Sequence, residues 1–151
     1  MQIKLEDLKR LRAETSAGVS DCREALEETD GDYEKAKKFI LTRSLEKAAK
    51  KEGKETSQGV IESYIHAGRI GVLVELKCET DFVAKTDEFK NLAHEIALQV
   101  ASMNPKNVEE LLKEEYIRDS SLTITEFIKR TVAKVGENIT VARFSRLELG
   151  E

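Results

Sequence analysis

The sequence predicts an α+β protein. Three observations lead there: apolar residues recur at helical spacing in three bursts between Leu5 and Leu41, the period changes to two from Val60, and a long helical stripe follows from Phe89. In the first part, Leu5, Leu8 and Leu11 mark one short helix, Val19, Cys22 and Leu26 a second, and Tyr33, Ala36, Phe39 and Ile40 a third. Thr15-Ser16-Ala17-Gly18 supplies a tight turn between the first two, and Thr29-Asp30-Gly31 stops the second before Asp32 caps the third. Residues 1–44 therefore read as a three-helix module, too small to bury much area alone. Residues 45–56 read as a basic, partly helical linker, because the Lys-rich stretch from Arg43 to Lys54 has no clear apolar stripe.

Residues 57–151 read as an α+β core. Ile70, Val72, Val74 and Leu76 alternate with Gly71, Leu73, Glu75 and Lys77, and Val60 to His66 precedes them across Ala67-Gly68, which predicts an antiparallel hairpin. Gly68 suits the positive φ of a short hairpin turn. Phe89, Leu92, Ala93, Ile96, Ala97, Val100 and Ala101 then form a helical face that must lie against the sheet, and Asn104-Pro105 ends the helix. Asn107 with Glu110, and Thr123 with Glu126, have capping-box spacing and open two further helices, one from Val108 to Tyr116 and one reaching Val135. Gly136 closes the last, and Ile139, Val141 and Phe144 supply a third strand. The expected core is a three-stranded antiparallel sheet packed with helices.

Composition narrows the function. Of 151 residues, 36% are charged and 40% hydrophobic, with no Trp and one Pro, a balance that suits a helix-rich globular chain. The formal net charge of −4 argues against nucleic acid as a direct ligand, since phosphate neutralisation needs a cationic excess. Cys22 and Cys78 form no CxxC pair, so neither a zinc knuckle nor a disulfide framework is indicated, and a reducing cytoplasm is the expected location. The N-terminal Met1-Gln2-Ile3-Lys4-Leu5-Glu6 lacks a signal-peptide apolar run, and no segment approaches the roughly 20 apolar residues of a membrane span.

Enzymatic readings fare poorly against what the chemistry requires. A thiol enzyme built on Cys78, Glu79 and His66 needs base and thiol to meet, whereas Cys22 and Cys78 both fall on apolar faces where packing is the simpler reading. His66 and His94 are the only histidines, and no second His stands at helical or strand spacing from either. GxGxxG and GxxxxGK[ST] are both missing, so no nucleotide cofactor and no metal are expected to be held by this chain.

The informative stretch is Thr80-Asp81-Phe82-Val83-Ala84-Lys85, at the junction between strand and helix. One reading makes Asp81 the cap of the helix leading to Phe89 and lets Phe82 dip into the core. The other leaves both in a solvent-facing loop, where functional side chains are commonly mounted on rigid elements. Two features favour the second. Phe89, Leu92 and Ile96 already supply the core face, and Thr86 is the better cap for a helix starting at Asp87.

Three blocks in the same order resemble elongation factor Ts: Leu8-Lys9-Arg10-Leu11-Arg12-Ala13-Glu14-Thr15-Ser16-Ala17-Gly18-Val19-Ser20-Asp21-Cys22, the hairpin His66 to Cys78 with the Thr-Asp-Phe-Val-Ala string, and Lys134-Val135-Gly136-Glu137-Asn138-Ile139. Coverage is close to end to end. The usual Thr-Gly-Ala-Gly turn and methionine pair are replaced here by Ser16 and by Val19 and Ser20, and the segment after Pro105 is shorter than in longer members.

The resemblance implies a guanine nucleotide exchange factor of translation elongation rather than an enzyme. Its partner would be elongation factor Tu, GDP-bound and nucleotide-free. The N-terminal module would be ubiquitin-associated-like, docking on the GTPase through Arg12, Val19 and Ser20, while Thr80, Asp81, Phe82 and Val83 would reach its Mg²⁺ site. His66, Val135 and Gly136 would be lesser contacts. By analogy with short members, two chains would associate through their sheets as a homodimer. The alternative is a folding or storage partner of elongation factor Tu that exchanges nothing.

Overall fold

The computed structural model describes residues 2–151, which divide into two compact units with the boundary between Lys47 and Ala48. The first contains α1 (Leu5–Thr15), α2 (Val19–Glu28) and most of α3 (Tyr33–Ala49). Leu8, Leu11, Cys22, Ala25, Leu26, Ala36 and Ile40 form its core, with Ile3, Ala17, Tyr33 and Phe39 packed at the margin. Leu5 stays 62% exposed, so the apolar stripe of α1 begins one turn later than its sequence spacing suggests.

The turns follow their residue chemistry. Ser16 takes φ 60° and closes α1 by donating its N–H to the Arg12 carbonyl at 2.9 Å. Asp30 and Gly31 both adopt positive φ, and the Gly31 N–H reaches back to Leu26 O at 2.8 Å. Asp32 Oδ1 then accepts the Lys35 N–H at 3.1 Å as the cap of α3. Glu14 ties α1 to α3: Tyr33 donates its hydroxyl at 2.8 Å, Arg10 its Nε at 3.0 Å, and Lys37 Nζ lies at 3.4 Å. These partners, the Tyr33 hydrogen bond first among them, hold the Glu14 carboxyl below its ordinary range.

The second unit is built on an antiparallel sheet of β1 (Gln58–His66), β2 (Ile70–Cys78) and β5 (Ile139–Glu148), in the order β1-β2-β5. The hairpin turn places both Ala67 and Gly68 at positive φ, with Arg69 N donating to His66 O at 2.9 Å. Alternation sorts β2 cleanly: Val72, Val74, Leu76 and Cys78 are buried, and α5 (Asp87–Met103) covers that face with Phe89, Leu92, Ala93, Ile96, Ala97 and Val100. Asn104 at φ 51° closes α5, and Thr86 opens it by accepting the Phe89 N–H.

Beyond α5 the structure departs from the sequence expectation. The stretch expected to be helical from Val108 to Tyr116 ends as α6 at Lys113, capped by Asn107 through the Glu110 N–H. Glu115–Tyr116 is a short strand, β3, paired with β4 (Asp119–Thr123), so a second, two-stranded sheet accompanies the first. Polar groups of α5 hold it. Fully buried Gln99 accepts from Ile117 N and donates to Glu115 O, both at 3.0 Å, and Glu95 accepts from Tyr116 OH at 2.9 Å and Arg118 Nε at 2.5 Å. Two of the hairpin's backbone groups, the Glu115 carbonyl and the Ile117 N–H, are thereby satisfied by a side chain rather than by a third strand. α7 (Ile124–Val135) follows with both halves of the Thr123–Glu126 capping box in place and Gly136 at φ 77° as its close.

Candidate functional site

Thr80 to Lys85, expected as a loop, is a single helical turn: α4 (Asp81–Ala84). Thr80 caps it, its hydroxyl accepting the Val83 N–H at 3.3 Å, and Thr86 brackets the far end by donating to Val83 O at 2.7 Å. Asp81 therefore caps neither α4 nor α5. Helical geometry sends successive side chains about 100° apart, and burying Val83 and Ala84, each 5% exposed, turns their predecessors outward. Phe82 is 78% exposed and Asp81 stands beside it, paired with Lys85 Nζ at 3.8 Å in full solvent. Val83, grouped with them in the sequence reading as a contact residue, is buried at the base of the turn.

Two joints of the chain meet beside this turn. Glu137 follows Gly136 at the passage from α7 to β5, and its carboxylate accepts the Thr80 N–H at 3.0 Å and the Thr80 hydroxyl at 2.7 Å. In return the Asn138 N–H donates to Glu79 Oε2 at 2.6 Å. Cys78 Sγ lies 3.1 Å from Thr80 O as donor, and burial first, then the negative charge of Glu137, pushes that thiol's pKa up. A thiol kept protonated is a poor nucleophile. Cys78 also stands at the opposite end of β2 from His66, whose register partner is Ile70, roughly 26 Å away at the usual strand rise. The Cys78, Glu79 and His66 triad is therefore never assembled.

The remaining candidates fall in two places. Val135 and Gly136 adjoin the Thr80 joint through Glu137, whereas His66 sits at the hairpin tip, hydrogen-bonded to Tyr64 OH at 2.9 Å through Nδ1. In the first unit, exposed Arg12 lies in the last turn of α1, and exposed Val19 and Ser20 lie in the first turn of α2, on either side of the connecting turn. Glu79, Glu137 and Asn138 were not foreseen as site residues; Glu137 and Asn138 fall in the Lys134 to Ile139 block, whereas Glu79 has no sequence signal beyond its place between Cys78 and Thr80. Among the described residues, no group of three or more His, Cys, Asp or Glu could hold a metal ion, and no helix is long and apolar enough to cross a membrane.

A family model described as elongation factor TS matches residues 79–151, from Glu79 through both joints to the last residue. Beyond that segment, an elongation factor Ts of Coprothermobacter proteolyticus is 43% identical over the whole of both chains. The chain belongs to the elongation factor Ts family. One of Syntrophomonas wolfei is 42% identical, covering 99% of this chain and 91% of its own length, and one of Desulfosudis oleivorans is 38% identical over 95% and 96%. Elongation factor Ts proteins belong to the elongation stage of protein biosynthesis. The first of these alignments runs over 197 positions against 151 residues here, so at least 46 positions of that relative have no counterpart in this chain.

Proposed function

We propose that this chain is a guanine nucleotide exchange factor that binds elongation factor Tu in its GDP-bound form and promotes GDP release by disturbing the Mg²⁺ and phosphate site. GTP then reloads the emptied protein. The observation that carries the reading is Phe82, a large ring left 78% exposed on a turn fixed at both ends by Thr80 and Thr86. An exposed aromatic on a braced mount has no use in this protein's own stability, and suits insertion into a partner.

The mechanism is linkage. GDP is held in a GTPase by phosphate-cradling amides, by Mg²⁺ bridging phosphate and protein, and by the base pocket. A factor that binds the empty GTPase more tightly than the loaded one must weaken GDP by the same factor. In this reading Phe82 fills space that the loaded site needs closed, and Asp81 brings a negative charge toward Mg²⁺ and phosphate. Residues 1–44 serve as the docking module through Arg12, Val19 and Ser20, residues 45–56 as a basic linker, and residues 57–151 as the core that carries the finger.

Release of a fluorescent GDP analogue from elongation factor Tu, with and without this chain, tests the reading. Acceleration is expected. An unchanged release rate with a stable complex would identify a folding or storage partner instead. Asp81→Ala is expected to slow stimulated release while the complex still forms and the melting temperature holds, because the exposed Asp81–Lys85 pair contributes little. A fall in melting temperature with exchange intact would assign Asp81 a purely structural role.

A homodimer through the sheets completes the proposal. The face of the sheet away from α5 exposes Ile61, Ile65, Leu73 and Leu147, at 52% to 79%, on all three strands. Gly71, Ser63 and Ser145 lie between them in register, so large and small side chains alternate across a surface that a second copy can interdigitate. Sedimentation at high micromolar concentration is expected to show a dimer, and a monomer there would overturn this part.

A further inference from the structure

We propose that Glu137 is the positioning residue of the exchange finger: its carboxylate orients Phe82 and Asp81 through Thr80, without touching the partner itself. This rests on the exchange reading and adds the element that aims the ring.

The argument is one of proton counting. The Thr80 hydroxyl has a single proton, and donating it to Glu137 Oε2 at 2.7 Å leaves the oxygen's lone pairs for the Val83 N–H at 3.3 Å. Glu137 thus sets the rotor on which the start of α4 depends. Its second oxygen takes the Thr80 N–H at 3.0 Å, so both the backbone and the side chain of the strand-to-helix joint are held by one carboxylate from 57 residues away. Hydrogen bonds to a charged acceptor are the stronger kind. The reciprocal bond from Asn138 N to Glu79, and the Cys78 thiol under Thr80 O, leave the joint little freedom to turn.

Such bracing exceeds what a turn of four residues needs. A functional side chain must be held within about 0.5 Å or 10–20° of its working geometry, and Phe82 has no packing of its own to supply that. Gly136 makes the arrangement reachable: at φ 77° it reverses the chain after α7, which delivers Glu137 to Thr80.

The test measures stimulated GDP release from elongation factor Tu at increasing concentrations of the full chain, for the parent, Glu137→Ala, Glu137→Gln and Phe82→Ala. Glu137→Ala is expected to lower the saturating rate about tenfold, as misplacement of a working group does, with the half-saturating concentration near the parent's. Glu137→Gln, which keeps a neutral acceptor, should fall between. If Phe82→Ala slows release and Glu137→Ala leaves the saturating rate unchanged, or raises only the half-saturating concentration, the positioning role is overturned. If Phe82→Ala itself releases GDP at the parent rate, the exchange reading fails instead. Amide hydrogen exchange of the isolated chain gives a readout independent of activity: in Glu137→Gln the Val83 amide is expected to lose protection while α5 keeps its own. Unchanged Val83 protection would overturn the proposal even if the alanine variant did not fold.

Discussion

Phe82→Ala is expected to slow stimulated GDP release from elongation factor Tu by roughly 10- to 100-fold, while the melting temperature of the chain hardly moves. The magnitude follows from burial: a Phe ring moved from water into a partner contributes about 1.5–3 kcal/mol, and each 1.4 kcal/mol is about tenfold. The neutral effect on stability follows from exposure. At 78% exposed, the ring has almost no intramolecular packing to lose, and surface substitutions of that kind stay within about 0.5 kcal/mol. Stopped-flow release and a thermal melt on the same samples check both halves. Exchange at the parent rate would remove the ring from the mechanism.

The largest expected loss of stability comes from Gly59→Ala. Gly59 holds φ 155° in β1, and a Cβ there would lie 2.1 Å from the Leu76 carbonyl oxygen and 2.8 Å from Lys77 Cα. Both are backbone atoms of the central strand, so no side chain can swing aside, and β1 must move away from β2. Backbone strain and overpacking each cost about 1–3 kcal/mol. Together these correspond to a fall of more than about 10 °C for a unit of this size. Ser63→Ala, on the same strand and face, is the control and should melt like the parent. The displaced segment of β2 leads directly to Thr80, so exchange should fall with stability here, unlike in Phe82→Ala. A Gly59→Ala variant melting with the parent would show that the two strands approach less closely than described.

Strongly periodic elements are legible in this sequence because their burial is one-sided. α5 shows its stripe from Phe89 to Ala101, β2 alternates through Val72, Val74 and Leu76, and Thr123 with Glu126 announces α7. The β3–β4 sheet is not legible. Its strands are short, and what holds them is Gln99 and Glu95, which lie outside the apolar stripe by which α5 is recognised. The finger is half legible: the surplus of core residues in α5 and the better cap at Thr86 place Phe82 outside, yet Thr-Asp-Phe-Val-Ala carries too few residues to show a helical turn. Glu137 stands beyond such reasoning, because its partner Thr80 is 57 residues away and only the folded chain brings them together. Gly59 is silent for the same cause, since its need for a bare α-carbon arises from β2.

The central claim is a difference between two affinities, and titrating this chain against nucleotide-free and GDP-loaded elongation factor Tu measures it most directly. The account predicts tighter binding to the empty form, by the same factor by which the chain lowers the affinity for GDP. For a ten-thousand-fold effect that difference is about 5.5 kcal/mol. Equal affinity for the two forms would contradict the account, since a factor that binds both alike has no means of displacing the nucleotide.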